Sequence, residues 1–349
     1  MRRRVVAIVT LATLLSGAAH AARFDADAVS GASFRPALAQ HVDPSRPQAG
    51  KRPDPALVKV QILLDRAGYS PGEIDGHFGD NFSKALAAYQ ADHKMDASGV
   101  LDRATWDSLA ASSSLPVVRD YEIAPSDVEG PFTRRIPSKM EAMAHLHHLG
   151  YHNSIEELSE KFHMSPGLLQ AFNPRERFKQ AGHHIAVAGV PQLPPKLKPL
   201  VPGENNVTRV EVDKDRLTVR AFDATGKLVG FYPATVGSED KPAPSGTLLI
   251  EAVNFRPNYT YNPKYKFKGV KARRPFTIAP GPNNPVGLVW IALNGEGYGI
   301  HGTPDPGKIS KRYSHGCVRL TNWDALSLAS MVAKGVTVDF IGTGPQAAR

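Results

Sequence analysis

The stretch His301-Gly302-Thr303-Pro304-Asp305-Pro306-Gly307-Lys308-Ile309-Ser310-Lys311-Arg312-Tyr313-Ser314-His315-Gly316-Cys317-Val318-Arg319 decides the reading of this chain. It holds the one cysteine among 349 residues. His315 stands two positions before that thiol, and His301 stands sixteen before it. A thiol attacks a carbonyl as the thiolate, and an imidazole within reach supplies the base that makes it one. Gly302 and Gly316 keep side chains away and let backbone N–H groups turn toward a developing oxyanion. The N–H groups of Gly316 and Cys317 are the candidates for that task, with His315 shaping their loop. Arg319 is a fixed cation suited to a carboxylate, with a structural ion pair as its alternative role. Together these residues predict a cysteine acyl-transfer site.

The same residues carry a resemblance. His301-Gly302-Thr303, a short spacer and Ser314-His315-Gly316-Cys317-Val318-Arg319 resemble the signature of the L,D-transpeptidase catalytic domain of YkuD type. The likeness runs outward through Gly281-Pro282-Asn283-Asn284-Pro285-Val286-Gly287 before it and Leu320-Thr321-Asn322-Trp323-Asp324-Ala325 after it. The resemblance implies that Cys317 is the nucleophile and that His301 takes its proton, then protonates the leaving amine. The backbone carbonyl of Gly302, rather than an acid, would hold the imidazole tautomer. Ser314 and Thr303 read as loop hydrogen bonders rather than nucleophiles, with Ser314 grouped beside Arg319 on the substrate side. The implied donor is a peptidoglycan tetrapeptide stem, held as a thioester after loss of D-alanine. An amine acceptor would then give a 3→3 cross-link or attach a protein to the wall. Water as acceptor would make an L,D-carboxypeptidase, and a non-catalytic wall-binding protein is the other alternative. Carbapenem-type inhibitors are expected to acylate the same cysteine. This chemistry calls for no metal and no organic cofactor. A metal-dependent hydrolase using His301, Asp305, His315 and Cys317 competes with it, but the spacing matches no zinc pattern.

Around the site, residues 206–343 read as a mostly-β catalytic domain. Val210–Val212 and Leu217–Val219 alternate about a polar turn, and further strands are expected over 228–236, 247–253, 288–293, 299–301 and 336–341. One helix follows the cysteine, with Thr321 as N-cap and Asp324 at the third position. Periodicity gives only a mostly-β domain; the sandwich-like fold is what the resemblance implies. Residues 55–112 show helical spacing at Leu57, Val60 and Leu64 and again at Phe82, Leu86 and Tyr89. With Gln61, Asp75-Gly76, Phe78-Gly79, Gln90, Gly99 and Thr105-Trp106 they resemble the three-helix peptidoglycan-binding module. Asp75-Gly76 reads as a structural turn ahead of a ligand contact. In residues 146–200, Ser154 with Glu157 reads as a capping box and Ser165-Pro166 as a second helix start. That pattern, with a strand near 185–187, resembles a LysM-like glycan-binding unit. Residues 22–54 read as a flexible linker and 113–145 as a second one. The expectation is a multidomain α+β chain whose two N-terminal units raise the local concentration of an insoluble substrate.

Residues 1–21 carry Arg2-Arg3-Arg4, an apolar run from Val5 to Leu15 and Ala19-His20-Ala21, the pattern of a secretory signal peptide. The expected location is exported, periplasmic and wall-associated. A single cysteine in an exported chain is a reactive thiol or a route to intermolecular pairing. The net charge of +9 suits anionic surroundings such as wall polymer. The basic run Lys264–Arg274 alternates with aromatics, yet in an exported protein it reads as a solvated strand or a loop beside the active site, with no nucleic acid expected. The partners expected are stem peptides, glycan strands and a wall-anchored protein acceptor. His145, His147, His148, His152, His163, His183 and His184 read as surface histidines rather than a metal site.

Overall fold

The computed structural model describes residues 25–39, 52–237, 242–265, 269–310 and 316–344. The leader read at 1–21 lies outside them. Among the described residues no helix is long and apolar enough to cross a membrane. The fold is multidomain, with a helical region followed by a sandwich-like β domain.

The chain begins with α1 (Ala26–Ser30), α2 (Pro55–Arg66), α3 (Asp80–Asp92) and α4 (Arg103–Ala111). Asp54 caps α2 through Ala56 N–H, and Pro55 sits where its missing N–H is no loss. Asp102 caps α4 by accepting from Thr105 N–H at 2.7 Å. Two buried glutamines latch the connecting loops. Gln61 donates to Asp75 Oδ1 at 2.9 Å and accepts from the Gly76 N–H at 2.8 Å. Gln90 donates to the Val100 carbonyl at 2.8 Å and accepts from the Gly99 N–H at 2.9 Å. Gly76 has φ +74°, and a Cβ there would stand 2.7 Å from Pro53 and 2.8 Å from Val58. Asp75-Gly76 is therefore held as a turn by Gln61. The segment read as a first flexible linker is in part ordered: Val29 and Leu38 are buried against this helical core.

Next come β1 (Val118–Glu122), α5 (Pro125–Glu129), α6 (Met140–Met143), α7 (Ser154–Lys161), α8 (Pro166–Phe172) and β2 (His184–Ala188). Strands β1 and β2 pair antiparallel from Val118↔Ala188 to Glu122↔His184. The linker expected at 113–145 thus contains a strand. Val118-Arg119-Asp120-Tyr121-Glu122 shows no apolar alternation, because its pairing comes from a partner far along the chain rather than from a buried face. The cap of α7 is also one residue earlier than expected. Asn153 accepts from Glu156 N–H at 3.0 Å, while Ser154 Oγ donates to the Phe178 carbonyl. Ser165 caps α8 as its sequence predicts.

The β domain contains β3 (Arg209–Asp213), β4 (Thr218–Phe222), β5 (Leu228–Pro233), β6 (Thr235–Val236), β7 (Gly246–Phe255), β8 (Tyr259–Tyr261), β9 (Phe276–Ile278), β10 (Val289–Leu293), β11 (Gly299–His301), β12 (Val318–Arg319), α9 (Asn322–Ala329) and β13 (Thr337–Ile341). Nine strands run in the order β5-β4-β3-β13-β7-β10-β11-β12-β6, and β8 pairs separately with β9. The long β7 pairs with β13 through Gly246–Leu249 and with β10 through Ile250–Phe255. This stagger coils the sheet, so valines of β3 and β4 share one core with Ile291, Ile300, Val318 and the Ala325, Leu328 and Ala329 face of α9. Thr321 caps α9 through Asp324 N–H at 3.1 Å, as expected from the sequence.

The units are not beads on linkers. The helical unit and the β1–β2 unit share one apolar core, which Phe231 of β5 also enters. Ser70 N–H donates to the Phe231 carbonyl at 2.9 Å and Phe231 N–H to the Gly68 carbonyl at 2.8 Å, which occupies the open edge of β5. Ile74 and the His163–Ser165 backbone exchange a similar pair of bonds. At the centre of this junction, the Ser70 hydroxyl donates to Asp324 at 3.0 Å, and His163 pairs with Asp65 at 2.9 Å while stacking on Trp323 at 5.3 Å. His163 is thus a junction residue rather than a surface histidine, whereas His152, His183 and His184 each pair singly with a carboxylate. Burial pushes the Glu160 carboxyl up to about 8, and burial with the nearby Asp65 charge pushes Asp324 up to about 7.

Two outcomes are expected. Gln61→Ala strands the Asp75 and Gly76 N–H groups and should cost about 2–4 kcal/mol in a denaturant titration. Glu160 and Asp324 hold protons more tightly folded than unfolded, so their contribution is complete only below their ordinary values of 4.5 and 3.8 and is lost as pH rises through about 7 to about 8. A thermal melting series should show that decline, and Glu160→Gln should flatten it.

Candidate active site

The site is built by strand register. In β11, Ile300 points into the core and pairs with Val318 of the parallel β12; His301 pairs with Arg319. On the other side His301 faces Trp290 of β10. Side chains alternate along a strand, so His301, Trp290 and Arg319 share the face opposite the core, and Cys317, immediately before β12, continues it. A cleft of about 1050 Å³ opens over that face, and Cys317, His301, Arg319, Trp290, Tyr298 and Glu296 line it. Trp290 and Tyr298 both line the cleft, and Tyr298 also packs against the core. The Trp290 ring stacks on His301 at 5.4 Å and 22°. Gly299 makes the space for it, since a Cβ there would stand 2.5 Å from the indole.

His301 is 3 % exposed, and its Nδ1 lies 2.7 Å from the Gly302 carbonyl oxygen. A carbonyl can only accept, so Nδ1 carries the proton and Nε2 carries the free lone pair. Burial, and then the Arg319 charge, push this imidazole down to about 3, so it is neutral at physiological pH. Neutral imidazole is the form that can take a proton.

Cys317 donates weakly toward the Gly297 carbonyl at 3.6 Å. Gly316 before it has φ +100°, a conformation that disfavours any residue with a Cβ. Burial lowers the Arg319 guanidinium from its ordinary value, opposed by attraction to Cys317, Asp305 and Tyr259. Its Nε is buried and has no hydrogen-bond partner among the described residues. A fixed cation with an unfilled donor therefore faces the same cleft as the thiol. His315 and Ser314 lie outside the described residues. Among those described, no group of three His, Cys, Asp or Glu side chains could hold a metal ion.

A buried amide holds this arrangement from behind, and sequence reasoning missed it. Asn322 Oδ1 accepts from Leu288 N–H at 3.1 Å, and Nδ2 donates to Glu160 at 2.9 Å and to the Pro282 carbonyl at 3.2 Å. It fits because Gly287 and Gly302 have no side chains: a Cβ on either would come within 2.1 or 2.3 Å of Oδ1. Asn322 therefore packs directly against Gly302, whose carbonyl accepts from His301. The sequence offers only a faint signal, an asparagine at the first position of a helix among apolar neighbours.

Residues 207–340 match the YkuD family, described as the L,D-transpeptidase catalytic domain, and residues 53–109 match the peptidoglycan-binding domain family. A Bacillus licheniformis protein provisionally named L,D-transpeptidase YkuD is 33% identical over 143 residues, covering 40% of this chain and 71% of that protein. The YbiS protein of Escherichia coli K12, also provisionally named an L,D-transpeptidase, is 35% identical over 112 residues, 31% of this chain and 36% of its own length. An L,D-transpeptidase crystal structure from Xylanimonas cellulosilytica superposes with a TM-score of 0.36 at 16% identity, over 86% of this chain and all of that one. The match over most of the Bacillus protein's length, together with a catalytic-domain match that ends just beyond the cysteine strand and its helix, places this chain in the L,D-transpeptidase family of YkuD type.

Proposed function

We propose that this chain is an L,D-transpeptidase of peptidoglycan, with Cys317 as nucleophile and His301 as general base and acid. The observation that carries the proposal is the neutral His301, its tautomer set by the Gly302 carbonyl, on the same cleft face as Cys317 and Arg319. In the forward step His301 Nε2 takes the thiol proton as sulfur bonds to the donor carbonyl carbon. The tetrahedral oxyanion is met by the N–H groups of Gly316 and Cys317, a task in which His315 would assist, while Ser314 would serve on the substrate side with Arg319. Collapse breaks the C–N bond, and His301 gives its proton to the departing D-alanine amine, leaving a thioester. An acceptor amine reverses the sequence: it attacks the thioester, His301 takes its proton, and the thiol is restored.

Arg319 has the role of binding a carboxylate of the stem peptide, which its buried, unfilled Nε supports. The strained carbonyl of a carbapenem is an acyl donor of the same kind and would acylate Cys317. The acceptor amine gives a 3→3 cross-link or joins a protein to the wall, and water gives L,D-carboxypeptidase activity. The β1-α7-α8-β2 arrangement supports a LysM-like unit, which with the three-helix unit would hold glycan strands. Those roles suit an exported, periplasmic protein.

The test is mass spectrometry of products from tetrapeptide-stem muropeptides. Wild-type protein should release alanine and form a 3→3 dimer, and Cys317→Ala should do neither, with a loss of at least a thousandfold. Alanine release without dimer would favour the carboxypeptidase; no product from folded, reduced wild-type protein would sink both. A second outcome concerns pH. Because His301 stays neutral well below its ordinary range, the acid limb of kcat/KM should lie below about pH 5 rather than near 6.5. Trp290→Ala, which opens the imidazole to water, should move that limb upward.

A further inference from the structure

The cleft has a wall that does not come from the catalytic domain. Ser138, Lys139 and Met140 line it together with Cys317, His301 and Arg319. These three residues lie between β1 and α7, on an excursion closed at its base. Thr133 N–H donates to the Tyr151 carbonyl at 2.8 Å, and Gly150 N–H donates to Thr133 Oγ1 at 3.1 Å. With its ends this close, the segment is a compact Ω-like loop rather than a strand-to-helix connection.

Two sets of bonds fasten it over the site. On one side Leu149 N–H donates to the Pro280 carbonyl at 3.0 Å, and the Leu149 carbonyl accepts from Asn283 N–H at 3.0 Å. Asn283 Nδ2 also donates to the Gly150 carbonyl at 3.0 Å. The approach is so close that a Cβ on Gly281 would stand 2.0 Å from the Leu149 oxygen. On the other side the Glu141 carboxylate accepts from the N–H groups of Lys271 and Ala272, at 2.8 and 3.3 Å. Helix α6 thereby rests beside β9, and Gly269 and Val270 line the cleft.

The charge along this wall is mainly basic. Lys139 is exposed at the cleft, and exposed Lys271, Arg273 and Arg274 lie on the segment bonded to the loop. The acid beside them, Glu141, has its carboxylate engaged by the Lys271 and Ala272 N–H groups; Glu296 also lines the cleft. Arg319 lies inside, so a bound peptide meets one cation beside the thiol and another at the loop.

We propose that the 133–151 loop is the second wall of the substrate cleft and that Lys139 is a specificity-determining residue, reading a carboxylate of the stem peptide separate from the one at Arg319. The proposal rests on the stem-peptide reading above. An ammonium on an exposed lip contributes modestly to affinity but discriminates against a neutral amide at its partner position.

The experiment measures binding, so it does not depend on turnover. Calorimetry on Cys317→Ala protein would use three probes: an Ala-γ-Glu-diaminopimelyl-Ala tetrapeptide, the same peptide amidated on the glutamate α-carboxyl, and the same peptide amidated on the diaminopimelate carboxyl. Lys139→Met in that background should weaken the fully anionic peptide roughly threefold or more, and should leave one of the two amidated peptides unaffected. Lys139→Arg should restore the discrimination. Equal weakening of all three peptides, no weakening of any, or no binding at all would overturn the proposal. Muropeptide turnover by wild-type protein reports separately on the transpeptidase reading, so a failure there with discrimination intact would leave the charge selection standing.

Discussion

One buried amide holds the parts of this protein in place. Asn322 sits in the space that Gly287 and Gly302 leave by having no side chains, and it bonds the 281–288 turn to Glu160 of the neighbouring unit while packing against the end of the histidine strand. Each of these partners has a consequence. The turn carries Asn283, which grips the loop over the cleft. Gly302 carries the carbonyl that fixes the imidazole. Glu160 carries the contact between units. A buried amide with every partner supplied makes such a network rigid, and a single missing partner makes it costly. Replacing Asn322 therefore disturbs the turn, the loop it grips and the contact between units together.

The imidazole shows how burial can serve chemistry directly. An acid beside His301 would favour its charged form strongly; the Gly302 carbonyl favours it too, but burial and the Arg319 charge outweigh it. With Arg319 near the ring, the imidazole rests neutral. The guanidinium contributes by position, because it discourages a second cation on the ring and attracts negative charge on sulfur.

Much of this was legible in the chain. Alternation exposed most strands of the β domain, and the Thr321 cap and Asp324 marked α9 because capping is a local interaction with a local signature. The nucleophile, base and cation were legible because their chemistry restricts residue type. What the sequence hid was non-local. Strand β1 has a polar sequence and exists through its pairing with β2. Val29 and Leu38 are isolated apolar residues in a proline-bearing stretch and give no periodic signal, yet both are buried by a core assembled elsewhere. That Trp290 faces the cleft was hidden because an aromatic ring in a strand has the same spelling on either face. Asn322 and Glu160 could not be paired from sequence, since nothing local relates two polar residues that meet only after three units have packed.

The edge of the large sheet carries a last consequence. Residues 68–70 lie along β5 as a short extra strand, and the units on either side share a hydrophobic core. Backbone bonds of that kind resist sliding, and a shared core resists bending. The accessory units are then a bracket and not a tether. A tether lets an enzyme sweep a volume around its anchoring point; a bracket allows one offset and one angle. A polymer strand gripped by the helical unit would meet the thiol in a single register, and reaction sites along that strand would be selected by distance as well as by chemistry.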